Sequence, residues 1–287
     1  MPEPALTDLD LPSRVAAARG IILDMDGTLV LGDHASGGHV ALPGAIDLIA
    51  HIRAKGIPFR IFTNGSAKSP QTYTASLRRA GFELADDEFM TPTTVAAAWF
   101  LQKGIKRVRV LGDPGVEEPL AAAGLETIAA TDPAGDVEAV YSAWFRSFTF
   151  PALELACRDI WAGATLATAS HVPFFAAAGG RAIGSSFAIN AMLKAMTGKR
   201  ATIVGKPSLV AFQQSLRLMG LKKADTPHII VVGDDSALES RMANAAGAIS
   251  VGVATGLNPL DYWHALPPRD RPLLALEKAS ELIEMLQ

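Results

Sequence analysis

Two aspartates one residue apart, Asp24 and Asp26, close the apolar run in IILDMDGTLV, residues 21–30, and a glycine follows them. Paired carboxylates at a strand end cost free energy on burial unless a cation or a proton compensates them, so the pair marks a candidate site. Three further apolar runs end in polar groups. FRIFTNGS ends in Thr63 and Asn64, TIVGKPS in Lys206, and IIVVGDDSALES in Asp234, Asp235 and Glu239. Ligands of open α/β sheets bind beyond the carboxyl ends of parallel strands, so these endings are expected to converge on one crevice.

Several carboxylates with one lysine suit a hard, oxygen-seeking cation. Mg²⁺ takes one or two protein carboxylates and keeps water or phosphate oxygens as its other ligands. No cysteine or histidine joins the set, which disfavours zinc and copper. Acids alone would repel a phosphate dianion, whereas Mg²⁺ together with Lys206 would attract one. In such a pocket an aspartate can attack phosphorus to give an aspartyl-phosphate, which divides hydrolysis into two easier displacements. A second acid two residues away, on the same side of an extended strand, would protonate the leaving oxygen and then deprotonate the attacking water. The Thr63 hydroxyl and the backbone N–H groups beside it, at Asn64 and Gly65, can hold phosphoryl oxygens while Lys206 and the metal offset their charge.

The surrounding pattern must supply a scaffold for these endings. Short β-rich runs alternate with alanine- and leucine-rich stretches, which predicts an α/β fold with a mostly parallel sheet. Strands are expected at 20–24, 57–62, 201–204, 228–233 and 249–253, and helices at 43–55, 70–80, 91–103, 208–219 and 236–246. Pro43 near the first helix start, and Gly56, Gly81 and Gly220 after helical stretches, supply start and stop signals. The middle, about 105–200, offers its own strands (RVRVL, AVYSAWF, ATLATA) and helices (PALELACRDIWAG, AINAMLKAMTG). It is expected to form a small α/β unit inserted into a domain built from both ends of the chain. AAGGRAIGSS lacks the G-x-G-x-x-G spacing and reads as a loop entering a helix; LPPRDRP, residues 266–272, reads as a surface loop before a C-terminal helix.

Composition removes several functional classes. The 26 Lys and Arg against 29 Asp and Glu create no field that favours DNA or RNA. No stretch approaches the roughly 20 apolar residues of a membrane helix. The N-terminal MPEPALTDLDLPSR is acidic and proline-containing where a secretory signal would be basic and then apolar. Cys157 has no second cysteine to pair with and lies in a helical pattern, where a buried apolar role is expected. A cytoplasmic location fits these features.

The segments DMDGT, FTNGS, GKPS and VVGDDSALE, in that order, resemble the four motifs of the haloacid dehalogenase superfamily of aspartyl-phosphate phosphatases. The TN pair, the GKPS form and the insertion between the second and third motifs are similar to the class IIA branch, which includes p-nitrophenyl phosphatases, sugar and nucleotide phosphatases and pyridoxal phosphate phosphatase. The resemblance covers nearly the whole chain, and four motifs in order are far more specific than any one. It implies a Rossmann-like parallel-sheet core, residues 1–104 and 201–287, with an inserted α/β cap, residues 105–200. It implies a Mg²⁺-dependent phosphomonoester hydrolase acting on a small phosphorylated metabolite. Asp24 would be the nucleophile, Asp26 the general acid/base, Thr63 and Asn64 the phosphoryl binders and Lys206 the charge stabiliser. The metal would bind Asp24, the backbone carbonyl of Asp26, and Asp234. Cap-mediated oligomers are common in the branch, which makes a homodimer an expectation to test.

This chain departs from the family at two places. Glu239 stands where the fourth motif usually has a second aspartate; its extra methylene could still reach a metal-bound water, so altered metal affinity with retained activity is expected. Asp235 adds an auxiliary charge. The cap's TNxD-like loop is replaced by TASHVPFF, which puts His171 about where the acid would be and makes it the candidate specificity residue.

Plainer roles stand beside these. Asp24 and Asp26 could be solvated turn acids, Thr63 and Asn64 could open a turn, and Lys206 could be a surface lysine near a helix start. Asp234 and Asp235 could cap the helix near Ser236, Glu239 could give it electrostatic support, and His171 could be an ordinary loop residue. A phosphotransferase or phosphomutase would carry the same four motifs, and a non-catalytic phosphometabolite-binding protein would be expected to have lost Asp24, Asp26 or Lys206. A dehalogenase has no need of the acid at Asp26.

Overall fold

Gly20–Leu23, GIIL, is a strand buried at all four positions, as a run that alternates neither polarity nor size must be when both faces of a parallel sheet are covered. The computed structural model describes residues 10–33, 38–177, 180–256 and 258–286. The chain divides into two compact units, the first from described residues within 1–63, 71–89 and 212–287, the second from 64–70 and 90–211.

The first unit holds a six-stranded sheet in the order Leu274–Leu276, Ile249–Val253, Ile229–Gly233, Gly20–Leu23, Phe59–Phe62, Phe89–Met90. Leu23 pairs in parallel with Val232 on one side and Ile61 on the other, so the three central strands end at the same edge. Ile21, Leu23, Ile61, Ile230, Val232 and Val251 form the centre of its core. The helix Ala45–Ala54 adds Leu48, Ile49 and Ile52 from one face, the spacing an amphipathic helix uses to cover a sheet. Each fully buried side chain of this size contributes about 1.5–3 kcal/mol of transfer free energy. Val30–Asp33 and Gly38–Ala41 form an antiparallel hairpin in register Leu31↔Val40 and Gly32↔His39. After the 266–272 segment Leu274–Leu276 joins the sheet edge, and the expected C-terminal helix is Leu282–Met285.

The second unit has a five-stranded sheet, all of its pairs parallel, in the order Thr202–Ile203, Thr165–Thr168, Ala139–Ser142, Arg107–Leu111, Glu126–Ala129. Arg109 is fully buried and paired with Asp159, and its guanidinium also donates to the carbonyls of Ala129, Asp132 and Ala134. That closed network satisfies a buried charge that would otherwise be costly. Cys157 is buried in the helix Phe150–Trp161, and burial raises its thiol pKa, which matches the apolar role. The glycine-containing segment around 180 differs from the loop expected: Phe174–Ala177 and Gly180–Ile183 pair as a hairpin before the helix Ser185–Thr197.

The expected strand at 201–204 exists only as Thr202–Ile203, and it pairs with Ala167 and Thr168 in the second sheet. Lys206 therefore leaves a different sheet from the one that ends in Asp24. The two units divide the chain elsewhere than at 104/105 and 200/201: in the second unit the helix Pro92–Gln102 packs on Pro114–Ala122 and Thr202–Ile203 pairs with Thr165–Thr168. Strand pairing is a tertiary choice that a two-residue apolar run does not encode.

Candidate active site

Asp24 is the first residue past the strand Gly20–Leu23, and its backbone N–H still donates to Val232 O at 2.9 Å. Its carboxylate side chain is buried. Thr63, also buried, follows Phe59–Phe62, and Asp234, buried likewise, follows Ile229–Gly233. In-register pairing carries all three to one edge of one sheet.

The strand does not continue to Asp26. Leu29 and Val30 both donate to Met25 O, and Gly27 N donates to Val30 O, so the chain curls into a tight turn directly after Asp24. Asp24 and Asp26 consequently do not share a strand face, as extended geometry would require; Asp24 is buried, Met25 is buried, and the Asp26 side chain is 58% exposed. Gly27 makes the turn with φ 76°, a left-handed conformation natural to glycine. Its Cα also lies against Asp234: a β-carbon on Gly27 or on Gly256 would collide with the Asp234 carboxylate. Thr255 Oγ1 donates to Gly27 O at 2.6 Å and ties the two glycine loops together.

This cradle sets the terms for a metal ion. The side chains it gathers are oxygen-bearing: the Asp234 carboxylate lies against Gly27 and Gly256, and the buried Asp24 carboxylate follows the neighbouring strand at the same sheet edge. Among the described residues no group of three or more His, Cys, Asp and Glu side chains is placed to hold a metal. A donor set of at most two carboxylates with carbonyl and water oxygens fits Mg²⁺ and does not fit a nitrogen- or sulfur-seeking metal.

Behind Asp234 the chain forms a wide helical turn, Ser236–Ser240, capped by Asp235, whose Oδ1 accepts from Ala237 N at 2.8 Å. Asp235 thus performs the capping role. Glu239 is 1% exposed; its Oε2 accepts from Asp235 N at 3.3 Å, and its side chain fills the space that a β-carbon on Gly233 would need. Glu239 therefore shapes the loop that carries Asp234.

Asn64, Gly65 and Lys206 belong to the second unit. Asn64 Oδ1 accepts from Lys206 N at 2.8 Å while Asn64 Nδ2 donates to Lys206 O at 2.9 Å. Both polar atoms of the amide are spent on the lysine backbone, so Asn64 clamps Lys206, a use that the expected phosphoryl-binding role did not anticipate. Gly205 permits the approach, since a β-carbon there would meet Asn64 Oδ1 and Ala169 O. Lys206 itself is 1% exposed. Gly65 is half-buried in the loop after Asn64, and Ser66 Oγ in that loop accepts from Trp144 N. His171 is exposed on the loop after Thr165–Thr168, with its ring 4.8 Å from that of Phe187.

Two contributors have no signal in the motifs. His39, on the hairpin, has Nε2 3.8 Å from Asp26 Oδ1 and Nδ1 2.8 Å from Ser76 Oγ. Tyr73, one turn before Ser76, has its pKa pushed up to about 12, first by burial and then by the Asp26 charge. The only sequence signal for His39 is its place one residue from Val40 in an alternating strand.

The haloacid dehalogenase-like hydrolase family matches residues 21–126, and a second family, described as HAD-hydrolase-like, matches residues 203–274. The two matches contain Asp24 to Asn64 and Lys206 to Glu239. The chain belongs to the haloacid dehalogenase-like hydrolases. Among its relatives is the bovine haloacid dehalogenase-like hydrolase domain-containing protein 2, 27% identical over 255 residues, 86% of this chain and 91% of that protein. The structure of a 4-nitrophenylphosphatase from Thermotoga maritima superposes with a TM-score of 0.81 at 25% identity, covering 96% of this chain and 99% of the other. A glycerol phosphate phosphatase from Mycobacterium tuberculosis in complex with magnesium gives 0.76 at 23% identity, covering 94% and 77%. No helix among the described residues is long and apolar enough to cross a membrane.

Proposed function

We propose that the chain is a Mg²⁺-dependent phosphomonoesterase that cleaves a small phosphorylated metabolite through an aspartyl-phosphate on Asp24. The observation that supports this reading is that Asp24 and Asp234, two buried carboxylates, follow neighbouring parallel strands at one sheet edge, with Gly27 and Gly256 packed against Asp234. Mg²⁺, when bound, would neutralise the two acids and polarise the phosphoryl group. Asp24 and Asp234, with the Asp26 carbonyl, would hold it.

Asp24 Oδ attacks phosphorus, and the bond to the leaving oxygen breaks as Asp26 gives that oxygen a proton. Water then attacks the phosphorus, Asp26 takes its proton, and the bond to Asp24 breaks. Thr63 and the N–H groups of the following loop bind the phosphoryl oxygens, and Lys206 offsets their charge. The magnesium complex of the mycobacterial phosphatase supports the choice of metal. His171 and its loop belong to the cap of this reading, where the leaving group is recognised and where a homodimer would form.

The test is a screen of phosphorylated metabolites with Mg²⁺, comparing wild type with Asp24→Asn. Phosphate release by the wild type alone, on at least one substrate, is the expected result. Equal release by both proteins, or transfer of the phosphoryl group to a sugar in place of water, would overturn it.

A further inference from the structure

We propose that His39 is a positioning residue: held by Ser76, it orients the Asp26 carboxylate for proton transfer. The assignment rests on the phosphatase reading above. Three side chains from separate elements of the first unit carry it.

The hairpin turns Val40 outward, where it is 57% exposed, and strand alternation sends His39 to the opposite side. The His39 side chain is 9% exposed there, with Nδ1 2.8 Å from Ser76 Oγ and Nε2 3.8 Å from Asp26 Oδ1. Ser76 is buried on the helix Pro70–Arg79, so its position is set by the packing of that helix. When Ser76 Oγ–H donates to Nδ1, the ring proton of neutral imidazole stands on Nε2 and the N–H faces the carboxylate. This ordering does not need a charged ring.

The order hydroxyl, imidazole, carboxylate is that of a nucleophilic triad, but the hydroxyl here is enclosed and serves as the anchor. Asp26 stands at the open end. Its side chain is more than half exposed, so burial does not select its rotamer, and a directed N–H can. At 3.8 Å the contact is looser than a hydrogen bond; catalytic contacts in ligand-free enzymes are often long and tighten when substrate binds.

The consequence falls on one step. Departure of the leaving oxygen needs the Asp26 proton most when that oxygen is a poor leaving group and least when it is p-nitrophenolate. A positioning role for His39 must therefore change the dependence of kcat/KM on the leaving group, whereas a purely structural role lowers every substrate alike.

The experiment measures kcat/KM with Mg²⁺ for p-nitrophenyl phosphate and phenyl phosphate, which differ little in size. His39→Ala is expected to lower phenyl phosphate turnover roughly 10-fold or more and p-nitrophenyl phosphate less than about threefold, a part of the ~10²–10⁴ that a general acid supplies. His39→Gln, whose amide N–H can replace Nε2–H, is expected to recover most of the loss, and Ser76→Ala to show a weaker form of it. Asp26→Asn serves as the reference for full steepening. Steepening in Asp26→Asn with a uniform loss, or none, in the His39 variants overturns the inference and leaves the phosphatase reading intact. No steepening in Asp26→Asn overturns the assignment of Asp26 itself. Thermal unfolding of each variant identifies one that does not fold, in which case His39→Gln and Ser76→Ala decide.

Discussion

Asn64 spends both atoms of its side-chain amide on the backbone of Lys206, accepting from its N–H at 2.8 Å and donating to its carbonyl at 2.9 Å. Residues 142 positions apart are thereby fixed to each other within one unit. The lysine side chain can be aimed only as well as its backbone is held.

Asn64→Ala should therefore act through Lys206. Loss of the two bonds is expected to destabilise the protein by about 1–3 kcal/mol, and displacement of a charged group by a fraction of an ångström to lower kcat/KM up to ~10²-fold. Asn64→Asp keeps the acceptor for Lys206 N–H but sets a carboxylate oxygen against Lys206 O, and should do no better than alanine. Steady-state kinetics beside thermal unfolding check this. Full activity in a destabilised Asn64→Ala would show that the clamp matters to folding alone.

The glycine cradle around Asp234 yields a prediction about metal. Gly256→Ala puts a methyl group where the Asp234 carboxylate now lies, without the positive φ that complicates Gly27. The carboxylate must move, and the Mg²⁺ concentration for half-maximal activity is expected to rise at least ~10-fold, which is about 1.4 kcal/mol of binding. Gly27→Ala should do the same and also lose stability, by roughly 1 kcal/mol for the strained backbone. Chelator titration of activity and direct Mg²⁺ calorimetry measure both. Unchanged Mg²⁺ dependence in both variants would remove Asp234 from the metal site.

What the residues made legible, and what they did not, follows from range. The endings at Asp24, Thr63 and Asp234 could be read because each closes a fully buried strand, whose continuous apolar run is a local signal. The turn at Asp26 has no local signal, since nothing in the residues separates a strand that continues for two residues from one that curls around Gly27. The short strand before Lys206 is legible as an apolar run, but its sheet is not, because the pairing of Thr202–Ile203 with Thr165–Thr168 is decided by packing. His39 left no trace as a site residue: its meaning lies in contacts to Asp26 and Ser76, which are set by a hairpin and a distant helix.

The loop over 266–272 has a structural role that composition concealed, and it gives a pH signature. Arg241 makes two hydrogen bonds to Asp270, at 2.7 and 3.1 Å, and these hold the Asp270 carboxyl below its usual pKa. A carboxylate with a depressed folded-state pKa adds stability that is complete above its unfolded value and lost as the pH falls through the folded one. Arg241→Met should accordingly cost about 1 kcal/mol at neutral pH, discounted for the partial exposure of the arginine. The gap from wild type should begin to narrow near pH 4, where Asp270 starts to be protonated in the unfolded chain, and close as the pH falls through the lower folded-state value. Thermal unfolding across pH 3–7 tests this; a constant gap would assign the loss to packing.

Glu239 separates charge from shape. Its Oε2 accepts from Asp235 N, and its methylenes fill the space above Gly233, so the side chain supports the loop of Asp234 whether or not its charge acts on a metal. Glu239→Gln retains the acceptor and the volume while removing the charge, and is expected to fold as well as wild type. Any rise in its Mg²⁺ requirement then reports the charge alone, and a several-fold rise is expected, since a carboxylate this close to the Asp234 loop raises the local negative potential. Glu239→Ala loses both, leaves the Asp235 N–H without that acceptor, and should cost about 2–3 kcal/mol of stability as well. Glu239→Asp shortens the reach by one methylene, so it should lose the bond to Asp235 N yet keep the charge. If the Asp variant needs no more Mg²⁺ than wild type while the Gln variant does, charge sets the affinity; if the order is reversed, the loop geometry does.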